Sequence, residues 1–225
     1  MLAGIRAVAF DAVGTLLFPS RSVTEVYVET AAKHGFAVEA SEVRTKLWER
    51  FRREDAADRA AGWMTSEVRE RERWQNIVTA CLPGATDELV DELLGRYARP
   101  DAWTTAPGMA ELLACLAERG LKLALASNYD SRLSAVVAGK PELAPLRDRV
   151  VISSLVGARK PGGKFFEEVI GVLDCAPSEI AFVGDDVEND YDGATAAGMR
   201  AILIDAEGRH AGATNRIASL VQLLG

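Results

Sequence analysis

The sequence is poor in several features that point to particular classes of protein. Its 225 residues include only three cysteines and two histidines. The cysteines are far apart and form no CxxC pair, so the sequence predicts neither a disulfide framework nor a zinc site. No apolar run approaches the roughly 18 residues that a membrane-spanning helix needs. The N-terminal residues lack the apolar segment of a signal peptide, so we expect a cytoplasmic protein with no membrane partner.

Positive charge is also scarce. Acidic residues outnumber basic ones by 33 to 26, which gives a net charge of −7. Domains that bind nucleic acids usually carry an excess of lysine and arginine, so we expect no nucleic-acid partner. Hydrophobic residues make up 48% of the chain, enough for a large core or for a core with a second, smaller domain. The composition does not indicate the oligomeric state.

The pattern of apolar residues divides the chain into two kinds of segment. A short apolar run over residues 5–10 predicts a buried strand, and helical periodicity dominates the next part of the chain. From Pro107 onward helices and strands alternate, which is typical of a parallel sheet with helices on both faces. We therefore predict an α/β core formed by residues 1–16 and 101–225, with an inserted all-helical domain at residues 17–100.

Several local expectations can be checked directly. Ser22 and Glu25 have the spacing of a capping box at the start of the first helix. The charged run over residues 50–58 is typical of a solvent-exposed helix face. Residues 215–224 have the pattern of a closing helix, and Asp130 is expected to cap the helix that follows it.

Polar residues collect where four of the predicted core segments end. Because the carboxyl ends of parallel strands meet at one edge of a sheet, these residues are expected to lie together. Taken singly, each cluster also fits a structural role, such as a turn, a helix cap or a solvated lysine. The clusters are Asp11 with Gly14 and Thr15; Ser127 with Asn128; Lys160; and Asp185 with Asp186, Asn189 and Asp190.

These residue types suit one kind of chemistry. Asp11 and Asp185 bring like charges together, which is costly unless a cation joins them, and oxygen ligands suit Mg²⁺. The Ser127 hydroxyl and the Asn128 amide can hold anionic oxygens, while Lys160 supplies positive charge. The set favours phosphoryl transfer to a carboxylate, a reaction in which positioning and charge neutralisation dominate.

The same residues stand in the order of four known sequence motifs. They read Phe10-Asp11-x-x-Gly14-Thr15-Leu16, Ser127-Asn128, Lys160-Pro161 and Gly184-Asp185-Asp186-x-x-Asn189-Asp190. The chain therefore resembles the haloacid dehalogenase-like hydrolase superfamily over nearly its whole length. Residues 17–100 are similar to the small helical cap that members of this superfamily carry after the first motif.

The resemblance implies a Rossmann-like core and a role for each motif residue. Asp11 is the expected nucleophile, which forms an aspartyl-phosphate, and Lys160 steadies both Asp11 and the phosphate. The residues expected to bind the phosphoryl group are Gly14, Thr15, Ser127, Asn128 and Lys160. The expected Mg²⁺ ligands are Asp11, the backbone carbonyl of Val13, and Asp185, with Asp186, Asn189 and Asp190 in support.

One position departs from the phosphatase pattern. Phosphatases of this superfamily usually carry a second aspartate, a general acid and base, two residues after the nucleophile, where this chain has Val13. Loss of such a group typically slows a reaction by about 10²–10⁴-fold. Asp130 is a candidate substitute for the proton transfers, provided that the fold aims it into the site.

We therefore expect a Mg²⁺-dependent phosphatase that acts on a small phosphate ester through Asp11, with slow turnover because of Val13. One alternative is a haloacid dehalogenase-type enzyme, since these relatives also lack the second aspartate and use no metal. Their fourth motif, however, generally has serine-asparagine where this chain keeps Gly184-Asp185-Asp186. A second alternative is a phosphate-binding or interaction module with little turnover.

Overall fold

The computed structural model describes residues 1–224. They form a parallel sheet flanked by helices, and four further helices lie in the chain between the first and the second strand of this sheet. The strands are β1 (Ala7–Phe10), β2 (Leu17–Pro19), β3 (Trp103–Thr105), β4 (Lys122–Ser127), β5 (Val150–Ile152), β6 (Ile180–Gly184), β7 (Arg200–Ile204) and β8 (Arg216–Ile217). The helices are α1 (Val23–Lys33), α2 (Ala40–Ala60), α3 (Glu67–Cys81), α4 (Asp87–Tyr97), α5 (Met109–Glu118), α6 (Arg132–Gly139), α7 (Ser153–Val156), α8 (Gly163–Leu173) and α9 (Gly193–Ala196).

The main sheet has six strands, all parallel, in the order β5-β4-β1-β6-β7-β8. The chain leaves the central strand β1, builds the sheet on one side through β4 and β5, and then crosses to β6 on the other side. Such a reversal of direction opens a crevice at the carboxyl ends of the strands. The predicted α/β fold is confirmed, and its reversal point lies directly after β1.

The two faces of the sheet have different side chains because residues alternate along each strand. On one face Val8 and Phe10 of β1 pack with the leucines of α5 and the apolar side of α6. On the other face the small side chains of Ala7 and Ala9 leave room for the bulky Phe165 of α8. This close packing seats α8 on the sheet, so the loop before α8 lies over the strand ends.

The helical segment, α1–α4 at residues 23–97, has an apolar core of its own. Its buried side chains include Tyr27, Val43, Val78 and Leu89, one from each of the four helices. The antiparallel pair β2–β3, which the sequence analysis missed, joins the two ends of this segment to the core. The division of the chain into a core and a cap stays a prediction. Within residues 1–224, no helix has both the length and the apolar character needed to cross a membrane.

Two local predictions were wrong. Residues 215–224 are not a closing helix, because Arg216 and Ile217 pair with β7 and extend the sheet, and a short 3₁₀ turn follows at Leu220–Leu223. Ser22 does precede α1, but its side chain makes no capping hydrogen bond, so the capping box is absent. In the first case, pairing with the open edge of the sheet outweighs the weak helical periodicity of a short segment.

The charged run on α2 is a solvated face only in part: Arg52, Arg53 and Asp55 are exposed as predicted, whereas Glu54 and Asp58 are buried. The Asp58 carboxylate accepts hydrogen bonds from three arginines, two of them Arg69 and Arg73 of α3, at 2.9 and 2.6 Å. The third is Arg159, from the loop before α8. Burial, followed by repulsion from Arg73, lowers the pKa of Arg159. Since Arg159 belongs to the sheet side of the molecule, this network ties the helical segment to the core.

We predict that the variant Asp58→Ala loses about 3–5 kcal/mol of unfolding free energy, because it leaves buried guanidinium groups without their shared carboxylate. The matched control is Asp101→Ala, which removes an ion pair whose two side chains are each 66% exposed. That control is expected to change stability by less than about 1 kcal/mol. Urea denaturation followed by circular dichroism measures both variants. Equal, small losses would contradict the assignment of Asp58 as the centre of the network.

Candidate functional site

The site lies at the carboxyl edge of the sheet, around the reversal point. Asp11 follows β1, Ser127 ends β4 and Asp185 follows β6, and these three strands are neighbours in the sheet. Lys160 reaches the same place from the loop between α7 and α8. The structure therefore brings the residues of all four sequence clusters together at one edge, as expected for parallel strands.

Lys160 is the centre of the site. Its ammonium is buried and donates to Oδ1 of Asp11 and to Oδ1 of Asp190, both at 2.6 Å, and to the carbonyl of Ala126 at 3.2 Å. The ammonium also lies 5.4 Å from the centre of the Phe182 ring. Burial by itself lowers the pKa of a lysine, but the two carboxylates outweigh it and raise the pKa of Lys160. The lysine is therefore held as a cation at the pH of the cell.

The partners of the Asp11 carboxylate lie at one of its two oxygens, Oδ1. Its Oδ1 atom accepts from Lys160 and is 3.4 Å from the Ser127 hydroxyl, which is long for a hydrogen bond between oxygens. Within residues 1–224 both of these partners use Oδ1, which leaves Oδ2 for a reacting group or a metal ion. The weak contact also leaves the Ser127 hydroxyl available to a ligand.

The turn after β6 carries Asp186, Asn189 and Asp190, the three residues predicted to support the metal site. Asp186 is exposed, and its carboxylate accepts from the backbone N–H of Asn189 at 2.8 Å, so it caps the helical turn. Asp190 is buried and points back to Lys160, while its Oδ2 accepts from the N–H of Asp186 at 3.1 Å. Burial raises the pKa of Asp190. Of the predicted supporting residues, Asp190 therefore lies in the charged cluster, whereas Asp186 and Asn189 shape the turn.

Gly14 and Thr15 position Asp185. The backbone of Gly14 has φ +98°, and a Cβ atom there would overlap the Asp185 carboxylate, so only glycine permits this close approach. The Thr15 hydroxyl donates to Oδ1 of Asp185 at 3.2 Å. Partial desolvation, followed by repulsion from Asp11, raises the pKa of Asp185 to about 6. Binding of phosphate by Gly14 and Thr15 stays a prediction.

Asn128 has a positioning role that the sequence analysis did not foresee. Its side-chain amide donates to the backbone carbonyl of Lys160 at 3.1 Å and accepts from the backbone N–H of Lys160 at 2.8 Å. This pair of hydrogen bonds fixes the lysine-bearing loop to the end of β4. Contact between Asn128 and a phosphoryl group stays a prediction.

The carboxylates of the site fit a divalent metal ion. Asp11, Asp185 and Asp190 each offer one carboxylate oxygen, and the three oxygens lie within 4.8 Å of one another. Only one cation, Lys160, lies among the described groups of this cluster, so three negative charges face one positive charge. Carboxylate oxygens are the ligands that Mg²⁺ prefers. The donor set and its charge therefore suit Mg²⁺, with Asp11 and Asp185 as the carboxylates that accept no hydrogen bond on Oδ2.

Val13 and Asp130 are the two positions that bear on the general acid and base discussed in the sequence analysis. The Val13 side chain is 37% exposed beside the site and carries no titratable group. Asp130 is not a free proton carrier, because both of its carboxylate oxygens accept from the Arg132 guanidinium, at 2.7 and 2.6 Å. The predicted capping role of Asp130 is also incomplete, since Ser131 occupies the N-cap position, although the Arg132 N–H does donate to Asp130.

A cavity of about 400 Å³ adjoins the site on the side of the helical segment. Val13 and Asn128 line it from the core, and helices α1–α4 supply most of its other walls. Sequence analysis missed this cavity because its lining residues come from elements far apart in the chain. Three aromatic residues of α2 and α3, Trp48, Phe51 and Trp74, line the cavity.

Comparison with known proteins agrees with the geometry of the site. The family model that describes haloacid dehalogenase-like hydrolases matches residues 5–198. The chain belongs to the haloacid dehalogenase-like hydrolase family. The resemblance inferred from the four motifs is thereby confirmed, and so is the assignment of the chain as a hydrolase of this family.

Two curated relatives illustrate the range of the family. Haloacid dehalogenase-like hydrolase domain-containing protein 3 of Mus musculus is 30% identical over 207 residues, which cover 89% of this chain and 82% of the relative. A phosphoglycolate phosphatase of Caulobacter vibrioides is 30% identical over 122 residues, which cover 54% of this chain and 50% of that protein. The second similarity is confined to about half of each protein.

Solved structures of the family share the fold over almost the whole chain. A haloacid dehalogenase-like (HAD) phosphatase from Thermococcus onnurineus aligns with a TM-score of 0.72 at 26% identity and covers 97% of this chain and 96% of its own. An L-2-haloacid dehalogenase from Xanthobacter autotrophicus aligns with a TM-score of 0.71 at 22% identity and covers 92% of this chain and 80% of its own. The latter likeness concerns the fold alone.

We predict that Gly184→Ala disturbs the charged cluster, because the new methyl group would overlap the Asp190 carboxylate. The clash forces Asp190 away from Lys160 and is expected to cost about 1–3 kcal/mol of unfolding free energy. The matched control is Gly171→Ala on α8, where a Cβ atom meets nothing within 4 Å. That helix-interior change is expected to stabilise by about 0.5–1 kcal/mol. Urea denaturation compares them, and a neutral Gly184→Ala would refute the close approach.

Proposed function

We propose that this haloacid dehalogenase-like hydrolase is a Mg²⁺-dependent phosphatase of small phosphate esters that uses Asp11 as its nucleophile. The observation that carries the proposal is a cluster of three carboxylates, two of them bonded to one buried lysine, in which one oxygen from each lies within 4.8 Å of the others. A crowded set of negative charges suits a divalent cation, and a cation in turn suits an anionic phosphoryl group. Similarity to the phosphoglycolate phosphatase and to the Thermococcus phosphatase supports the choice of phosphate-ester hydrolysis as the reaction.

The geometry supports a two-step displacement. In the first step an oxygen of Asp11 attacks phosphorus, the bond between phosphorus and the ester oxygen breaks, and that oxygen leaves with the bonding electrons. Lys160 holds the attacking carboxylate in place and balances charge, and the Ser127 hydroxyl donates to a phosphoryl oxygen. In the second step the oxygen of a water molecule attacks phosphorus and the bond between phosphorus and the Asp11 oxygen breaks. This step restores the Asp11 carboxylate and releases inorganic phosphate, which keeps one proton of the water while the other passes to solvent. When bound, Mg²⁺ would be held by Asp11 and Asp185, with the Val13 carbonyl as a further candidate ligand, and would neutralise charge on the phosphoryl oxygens.

We predict that Asp11→Asn lowers the rate of phosphate release by about 10³-fold or more, because an amide oxygen is a far weaker nucleophile than a carboxylate. The measurement is phosphate release from a panel of phosphate esters in the presence of Mg²⁺. The matched control, Asp174→Asn, changes a side chain that is 94% exposed and whose left-handed backbone asparagine tolerates. This control is expected to keep the activity of the wild type. An active Asp11→Asn variant would overturn the proposal.

Removal of the metal is the second test. Chelation with EDTA is expected to abolish phosphate release, and added Mg²⁺ is expected to restore it. The variant Asp185→Asn should weaken Mg²⁺ binding in calorimetry by about 10-fold or more, because it removes one of the charged oxygen ligands. Binding that is unchanged in this variant would exclude Asp185 as a ligand.

Two other outcomes would replace the proposal. Halide release from a 2-haloacid without Mg²⁺ would identify a dehalogenase, the reaction that the missing second aspartate also allows. Binding of Mg²⁺ and of a phosphate analogue without turnover of any ester would identify a binding module.

A further inference from the structure

The cavity beside the site is almost entirely apolar. Its walls include aromatic side chains from both the helical segment and the core, and Val13 places it in direct continuity with the residues that follow β1. Its volume of about 400 Å³ lies within the range of small-molecule pockets. Six of the lining residues are Val13, Trp48, Tyr97, Asn128, Tyr129 and Arg132.

Among residues 1–224, Arg132 is the one cation in the lining, and its guanidinium is already bonded to other groups of the protein. Its Nε and Nη2 atoms donate to the two oxygens of Asp130, and Nη1 donates to the carbonyl of Leu94 at 3.0 Å. The guanidinium also lies 5.4 Å from the centre of the Tyr129 ring. Most of the lining is apolar, so a sugar hydroxyl or a second carboxylate that entered the cavity without finding a partner would lose about 1–3 kcal/mol of hydration for each polar group. One polar atom without a partner among residues 1–224 is Oη of Tyr97.

The cavity also contains no effective proton donor. Among residues 1–224, neither an aspartate, a glutamate nor a histidine lines it, and the Val13 side chain that faces it carries no titratable group. Its tyrosines are poor acids, since burial raises the pKa of Tyr97 to about 12 and raises that of Tyr129 further. The lining therefore gives a departing ester oxygen no general acid, and we expect that oxygen to leave as an anion. Phenols ionise with a pKa of about 10, whereas aliphatic alcohols resemble water, with a pKa near 16.

We propose, building on the phosphatase function argued above, that the substrate is an aryl phosphate, whose aromatic ring occupies the cavity beside Val13 and whose phenolate leaves without protonation. In the bond-breaking step Asp11 gains the phosphoryl group and the phenolate oxygen takes the electron pair of the broken bond. The phenolate then takes its proton from water after it leaves the site. The apolar walls favour an aromatic ring, and the lack of a general acid in the lining favours a leaving group that is stable as an anion. An aryl phosphate has both properties.

The test compares three esters with the purified full chain and Mg²⁺. Phenyl phosphate has an apolar ring and an acidic leaving group, cyclohexyl phosphate has an apolar ring and a basic leaving group, and glycerol phosphate has a polar, basic leaving group. We expect kcat/KM for phenyl phosphate to exceed the value for cyclohexyl phosphate by about 10²–10⁴-fold, the usual contribution of a general acid. The Val13→Asp variant should raise the rate for cyclohexyl phosphate far more than that for phenyl phosphate.

A binding measurement separates the role of the cavity from the chemistry. Phenylphosphonate, which cannot be hydrolysed, is expected to bind more tightly than methylphosphonate. Trp48→Gln, at a cavity residue that is 64% exposed, should remove most of this difference. The matched control is Val68→Gln, which changes a residue of α3 that is 68% exposed and outside the cavity lining, and it should leave the difference intact.

The outcomes distinguish the two proposals. Hydrolysis that depends on Asp11 but favours cyclohexyl or glycerol phosphate would overturn the aryl substrate and leave the phosphatase function standing. Equal acceleration of all three esters by Val13→Asp, or equal affinity for the two phosphonates, would also overturn it. No hydrolysis of any ester, phenyl phosphate included, would instead overturn the phosphatase function on which this inference rests.

Discussion

A lysine ammonium that is removed from water must be surrounded by acceptors, and the arrangement around Lys160 meets this demand with two carboxylates and a carbonyl. The two carboxylates come from different elements, Asp11 from the end of β1 and Asp190 from the turn after β6. The backbone of Lys160 is in turn bonded to the side chain of Asn128 after β4. One buried cation therefore fixes the relative positions of three chain segments, and the geometry of the site follows from that constraint.

Arg159, the residue before Lys160, connects the same loop to the helical segment. Arg159 binds Asp58 of α2 inside a network of buried arginines and carboxylates, so adjacent residues of one loop hold the nucleophile and anchor the helices. The same helices form the walls of the cavity beside Val13. The loop thus links the position of the charged cluster to the position of the surface that would contact a leaving group. Since buried ion pairs tolerate little displacement, the cavity and the nucleophile are held in a defined relation.

Much of the fold and site could be predicted from the sequence because short patterns report on local chemistry. Apolar runs that end in polar residues predicted the carboxyl edge of the sheet, and the order of the motifs predicted that Asp11, Lys160 and Asp185 lie together. Features that depend on distant partners were missed. The burial of Asp58 depends on Arg159, a hundred residues later, and the strand at Arg216 depends on the open edge of β7. The helix-capping spacing at Ser22 did not guarantee the capping hydrogen bond.

The central claim is that Asp11 carries the phosphoryl group during turnover. The most direct measurement is an acid quench of the protein during hydrolysis of ³²P-labelled phenyl phosphate in Mg²⁺, followed by mapping of the labelled peptide. The account predicts acid-stable label on the peptide that contains Asp11 and its absence from the Asp11→Asn variant. Phosphate release without any labelled peptide, or the same label in the variant, would contradict it.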